Sequence, residues 1–104
     1  MSNQKQAILL QIKQAVLETD PGAEVILFGS QARGDSRPES DWDILIVTEN
    51  EINKDYEEKV LQILLNLQLE LEIDINYVMQ TRGDWEQPTA IPLYNEIKKE
   101  GVRL

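Results

Sequence analysis

Apolar side chains recur at helical spacing along the first stretch of the chain: Ile8, Leu9, Ile12, Ala15 and Val16, with Gln and Lys between them. This spacing predicts an amphipathic helix over residues 3–18, stopped before Pro21-Gly22. Glu24 to Phe28 reads as a short buried strand. Residues 30–40 are polar, contain Gly34 and Pro38, and leave room for a turn or two of helix. Asp41 to Thr48 reads as a second strand, and residues 49–54 as a polar connection. From about Asp55, the positions Val60, Leu61, Ile63, Leu64, Leu65 and Leu67 predict a second helix against the sheet. The period then changes: Leu67, Leu69, Leu71, Ile73, Ile75 and Tyr77 alternate with polar residues, as in a strand with one buried face. The third strand is therefore expected to start near Leu69 or Leu71. Residues 80–88 read as a loop. Thr89 is the expected N-cap of a last helix, with Pro92 in its first turn and Leu93, Tyr94 and Ile97 turned to the core. Gly101 supplies its stop, with apolar Val102 after it. The order helix, strand, strand, helix, strand, helix predicts a small α/β (α+β) domain on a mixed sheet flanked by helices.

A chain of 104 residues has room for one domain with one modest core, so residues 1–104 are expected to form a single domain that leaves a second substrate to be bound largely by something else. There is no cysteine, which excludes disulfides and thiolate metal sites, and no apolar run long enough to span a bilayer. The start, Met1-Ser2-Asn3-Gln4-Lys5-Gln6, lacks the basic-then-apolar order of a secretory signal, so a cytoplasmic location is expected. The net charge of −9 argues against a direct grip on nucleic-acid phosphates. The same acidity makes the binding of a triphosphate depend on metal, because carboxylates beside phosphates need cations between them. It suits a basic protein partner, and it serves solubility equally well.

The chemistry concentrates where strands end. Gly29 and Ser30 close the run Val25-Ile26-Leu27-Phe28, and after ten intervening residues Asp41-Trp42-Asp43 opens the run Ile44-Leu45-Ile46-Val47. Side chains alternate along a strand, so Asp41 and Asp43 share a face, with Cα atoms roughly 6 to 7 Å apart, while Trp42 points to the other. An isolated Asp-x-Asp is usually a solvated strand end. Here the preceding Gly-Ser turn favours a cation held between two like charges and a phosphate. Gly29 lets the backbone approach a phosphate, and the Ser30 hydroxyl and neighbouring N–H groups can bind its oxygens. Arg33 can reach a phosphate bidentately, or can pair with Asp35, Glu39 or Asp41; Arg37 is expected to face solvent. Asp74 is expected on the polar face of the third strand, between Glu72 and Asn76, from where it could ligate metal and accept the proton of an attacking hydroxyl. Glu72 is the rival for that role. Trp85, in a polar loop, is either a cap over the core or an interface anchor.

Gly29-Ser30, the spacer with Ala32-Arg33-Gly34, the run Ser40-Asp41-Trp42-Asp43 and Ile73-Asp74-Ile75 together resemble the minimal nucleotidyltransferases of the DNA polymerase beta-like superfamily. The stretch from Leu93 to Val102 is similar to their terminal helix. Trp42 departs from the smaller Ile or Leu common there. The resemblance implies a polymerase beta-like fold, two Mg²⁺ ions held by Asp41, Asp43 and Asp74, and phosphate binding by Gly29, Ser30 and Arg33. It also implies ATP as substrate and transfer of its AMP to a hydroxyl, with loss of pyrophosphate. Small members are often paired with a HEPN-family ribonuclease toxin and act as its antitoxin by adding AMP to a tyrosine, so a HEPN-type partner is expected. The residues also allow a non-catalytic binding module with the same partner, or an enzyme whose acceptor is a small-molecule hydroxyl of the antibiotic kind.

Overall fold

The computed structural model describes residues 3–37 and 40–104. Helix α1 (Asn3–Thr19) buries Leu9, Ile12, Ala15 and Val16, the stripe expected from its period. Strand β1 (Glu24–Phe28) runs into a one-turn helix α2 (Gly29–Arg33), and β2 spans Trp42–Thr48. Helix α3 (Lys54–Leu71) starts at Asn53, whose side chain accepts the N–H of Tyr56 at 2.9 Å. Then follow β3 (Ile75–Thr81), the short α4 (Arg82–Glu86), α5 (Pro92–Glu100) and a two-residue strand β4 (Val102–Arg103).

The sheet order is β3-β2-β1-β4. Strands β2 and β3 are parallel because α3 carries the chain back across the sheet, whereas β1 pairs antiparallel with both neighbours. Alternation along the strands splits the interior in two. Leu27, Trp42, Ile44, Ile46 and Ile75 face α1 and α3, where they meet Ile12, Val60 and Leu64. Ile26, Leu45 and Val47 face the opposite side, covered by Ile97 of α5, with Phe28, Val78 and Trp85 around them. Gly101 allows α5 to close on β1: a Cβ there would meet the Ile97 carbonyl at 2.5 Å and Ile26 Cγ2 at 2.6 Å.

Three expectations from sequence are corrected, and one strand is added. The third strand does not start near Leu69 or Leu71; α3 continues through Leu71, and the strand begins at Ile75. Val60, Leu64 and Leu67 are buried at helical spacing against α1, and that packing outweighs the local two-residue alternation, leaving Leu69 80% exposed. Residues 80–88 are not all loop, since β3 reaches Thr81 and α4 follows. The last helix is capped from Ile91, with Pro92 in its first turn; Thr89 instead accepts the Ile91 N–H through its hydroxyl at 3.1 Å. Finally, Val102 joins a fourth strand beside β1. Trp85 caps the smaller core cluster, under the Lys98 ammonium 5.0 Å from its ring centroid.

At the far end of β2 a buried carboxylate ties three elements together. Asp20, only 3% exposed, accepts hydrogen bonds from the Thr48 hydroxyl (2.5 Å), the Tyr56 hydroxyl (2.8 Å) and the Asn50 amide (3.1 Å). Burial pushes its carboxyl up, but the donors Thr48, Tyr56, Asn50 and the Gly22 N–H together hold it below its ordinary value. Burial, with the Asp20 charge adding to it, pushes the Tyr56 phenol up to about 12.

Candidate active site

The site lies where three strand ends meet. The antiparallel register pairs Phe28 with Asp43, and the parallel register pairs Asp43 with Asn76. The end of β1 and the starts of β2 and β3 therefore converge at Asp43. Gly29 sits at φ 73°, a region that side-chain-bearing residues avoid, and a Cβ there would run into the Asp43 carboxylate. Glycine is thus required twice at this position, by its backbone angle and by the approach of Asp43. The turn of α2 is closed by Gly34 at φ 83°, and the N–H groups of Gly34 and Asp35 both donate to the Ser30 carbonyl, at 3.0 and 3.2 Å. A cleft of about 350 Å³ opens in front, lined by Gly29, Ser30, Arg33 and Asp43 from the strand ends and by Leu93 and Glu100 of α5.

Asp41 and Asp43 do share a face, as the two-residue period predicts. Trp42 between them is buried among the α1 and α3 side chains. One amide nitrogen spans the pair: Asn76 Nδ2 lies 2.8 Å from Asp41 Oδ2 and 3.2 Å from Asp43 Oδ1. Two carboxylate oxygens converging on one donor nitrogen are the hard-oxygen set that suits a divalent ion such as Mg²⁺. Asp74 stands elsewhere than expected. It is the residue before β3, its carbonyl accepting the Trp42 N–H at 2.8 Å, and it borders a groove shared with Gln68, Leu69 and Glu72. Among the described residues no three acidic side chains gather closely enough to hold an ion, so Asp74 does not complete a cluster with Asp41 and Asp43 here. Glu72, the rival, is no strand residue either: it ends α3 in the left-handed conformation at φ 54°.

Arg33 lies at the cleft wall, paired with Asp35 at 3.2 Å and with Glu100 of α5 at 3.5 Å. The hydrogen bond and charge of Asp35, then those of Glu100, push its guanidinium further above its ordinary value, and the group stays a cation throughout. Glu39, a partner that the sequence allows for Arg33, and Pro38 lie outside the described residues. Arg37 is exposed, as expected, and its N–H donates to the Ser40 hydroxyl at 2.7 Å. Two contributors were not singled out by the sequence. Gln31, 4% exposed, donates to the Ser40 carbonyl at 3.3 Å and so links α2 to the segment leading into Asp41. Asn76 is the other. Its position two residues after Asp74, on the polar face, is the signal that could have found it.

The family of nucleotidyltransferase domains matches residues 9–102, a span that contains every element from the second half of α1 to the start of β4. The chain belongs to this family. It is a nucleotidyltransferase, and a relative by sequence agrees. A protein of Methanocaldococcus jannaschii named as a candidate protein adenylyltransferase is 33% identical over 78 residues, 75% of this chain and 73% of that one. Among solved structures, a chain of a toxin–antitoxin crystal structure with AMP-PNP superposes with a TM-score of 0.65 at 19% identity, covering 89% of this nucleotidyltransferase and 68% of that chain. A chain from the complex of a tri-AMPylated Shewanella oneidensis HEPN toxin with an MNT antitoxin gives 0.62 at 17% identity, covering 94% and 69%. At these identities the likeness establishes the shared fold.

Proposed function

We propose that this nucleotidyltransferase moves AMP from ATP, with Mg²⁺, onto a tyrosine hydroxyl of a partner HEPN-type toxin, and so acts as its antitoxin. The observation that carries the reading is the convergence of Asp41 and Asp43 on one point beside a cleft floored by Gly29 and Ser30. The relative named as a candidate protein adenylyltransferase supports a protein acceptor, and the toxin–antitoxin structures support the kind of partner.

In this reading Asp41 and Asp43 hold the divalent ions, Gly29 and Ser30 receive the triphosphate, and Arg33 exchanges Asp35 or Glu100 for a phosphate oxygen. The ions, when bound, neutralise the phosphates and polarise the reacting phosphorus. Asp74, exposed at the residue before β3, would take the proton of the attacking hydroxyl. A phenol with an ordinary pKa of about 10 is mostly protonated at neutral pH and needs such a base. No helix among the described residues is long and apolar enough to cross a membrane, and the partner is expected to meet the protein in the cytoplasm.

The test is transfer of label from α-labelled ATP, with Mg²⁺, to the protein encoded beside this one, with the modified residue identified by mass spectrometry. Label on a tyrosine of that protein is expected, with ATP binding by calorimetry strong in Mg²⁺ and weak in EDTA. Efficient labelling of an aminoglycoside with none of the neighbouring protein would overturn the protein acceptor and leave the chemistry standing. Binding of the neighbour without any transfer would mark a non-catalytic antitoxin.

A further inference from the structure

The amide of Asn76 occupies the point on which both site carboxylates converge. Its nitrogen lies 2.8 Å from Asp41 and 3.2 Å from Asp43, and its two N–H bonds provide one donor for each. The parallel register brings the amide within reach, since Asn76 is the β3 partner of Asp43 and projects from the same face. Asp41 and Asp43 are like charges held on one strand face, and without a cation they repel each other. The NH₂ group, carrying partial positive charge, is the polar group between them.

We propose that Asn76 is a positioning residue that stands in for the metal. In the metal-free protein it donates to both carboxylates and holds them at the geometry an incoming ion needs, and it yields that position when the ion arrives. The inference rests on the reading that Asp41 and Asp43 bind a divalent cation. It assigns Asn76 a role distinct from that of a ligand: a ligand strengthens ion binding, whereas a stand-in competes with it. The resulting device keeps the loop ends and β-strand starts assembled before ion and nucleotide bind, at some cost in ion affinity.

The test uses the full chain with Asn76→Val, which suits a strand, and Asn76→Ala as a second variant at this exposed position. In EDTA, both are expected to melt about 3 to 6 °C below wild type, as loss of two hydrogen bonds to charged groups implies. That difference should vanish in an Asp41→Ala/Asp43→Ala background, which separates an effect through the carboxylates from general damage to β3. Calorimetry with Mn²⁺ alone should show about three- to tenfold tighter binding in both variants, because the ion no longer displaces the amide. Saturating Mn²⁺ should close the gap in melting temperature. Weaker Mn²⁺ binding in the variants would make Asn76 a ligand and overturn the proposal; so would an EDTA melting loss that persists without the carboxylates. If wild type binds no Mn²⁺ that Asp41→Asn abolishes, the metal reading of the site fails. The melting cycle in EDTA then decides whether the amide clamps the two carboxylates.

Discussion

The two ends of β2 both carry carboxylates, and they treat them in opposite ways. At the far end Asp20 is buried, takes hydrogen bonds from Thr48, Tyr56 and Asn50, and is held ionised by them. At the near end Asp41 and Asp43 are close to each other and to solvent, with one neutral amide as donor to the pair among the described residues. A carboxylate whose acceptor sites are filled by protein donors is stabilised in place and has nothing left to offer a ligand. Carboxylates left under-satisfied beside a cleft lower the stability of the isolated fold and retain coordination capacity. Satisfaction, more than acidity, separates the structural aspartate from the two proposed to serve chemistry.

The largest expected effect breaks the chemical end. Asp41→Asn and Asp43→Asn should each cut transfer by about 10³-fold or more, roughly 4 kcal/mol of transition-state stabilisation, with melting temperature unchanged or slightly raised. A large loss of stability in either would make these residues structural, as Asp20 is. The converse change, Asp20→Ala, should cost about 3 kcal/mol in urea unfolding, because it leaves the Thr48 and Tyr56 hydroxyls buried without their acceptor. The folded fraction should still bind ATP.

Gly29→Ala acts on the near end through shape. The positive φ and the approach of Asp43 together should cost about 1 to 2 kcal/mol of stability, and transfer should fall further than stability because the carboxylate must move. Asp74→Asn should lower the transfer rate by about 10²-fold while changing ATP affinity little, since its place before β3 suits a group that acts on the acceptor. If Glu72→Gln abolishes transfer and Asp74→Asn does not, the base is Glu72.

The smallest effect is in pH. Asp20 has a lowered folded pKa, so its contribution is present above the unfolded value, near pH 4, and is lost as pH falls through the folded value. Melting temperature in wild type should therefore drop more steeply below about pH 4 than in Asp20→Asn. Parallel curves would mean that the hydrogen bonds do not favour the ionised form.

Local pattern was enough to place much of this in the sequence. The period of two put Asp41 and Asp43 on one strand face and Trp42 in the core, and Gly29-Ser30 marked the turn beside them, because strand alternation and glycine's backbone freedom are properties of a few consecutive residues. Other features depended on partners distant in the chain. Residues 67–71 satisfy the helical and the strand period alike, and only the fit of Val60, Leu64 and Leu67 against α1 selects helix; Asp74 then falls outside β3. Val102 becomes a strand because β1 offers a free edge, Trp85 a cap because α5 lies over the sheet, and Asp20 a buried acceptor because Thr48 and Tyr56 arrive from two other elements. Asn76 reaches Asp41 and Asp43 through the parallel register alone. A hydrogen bond or a packed contact between residues tens of positions apart leaves no periodic trace in the chain, so those assignments belonged to the tertiary structure.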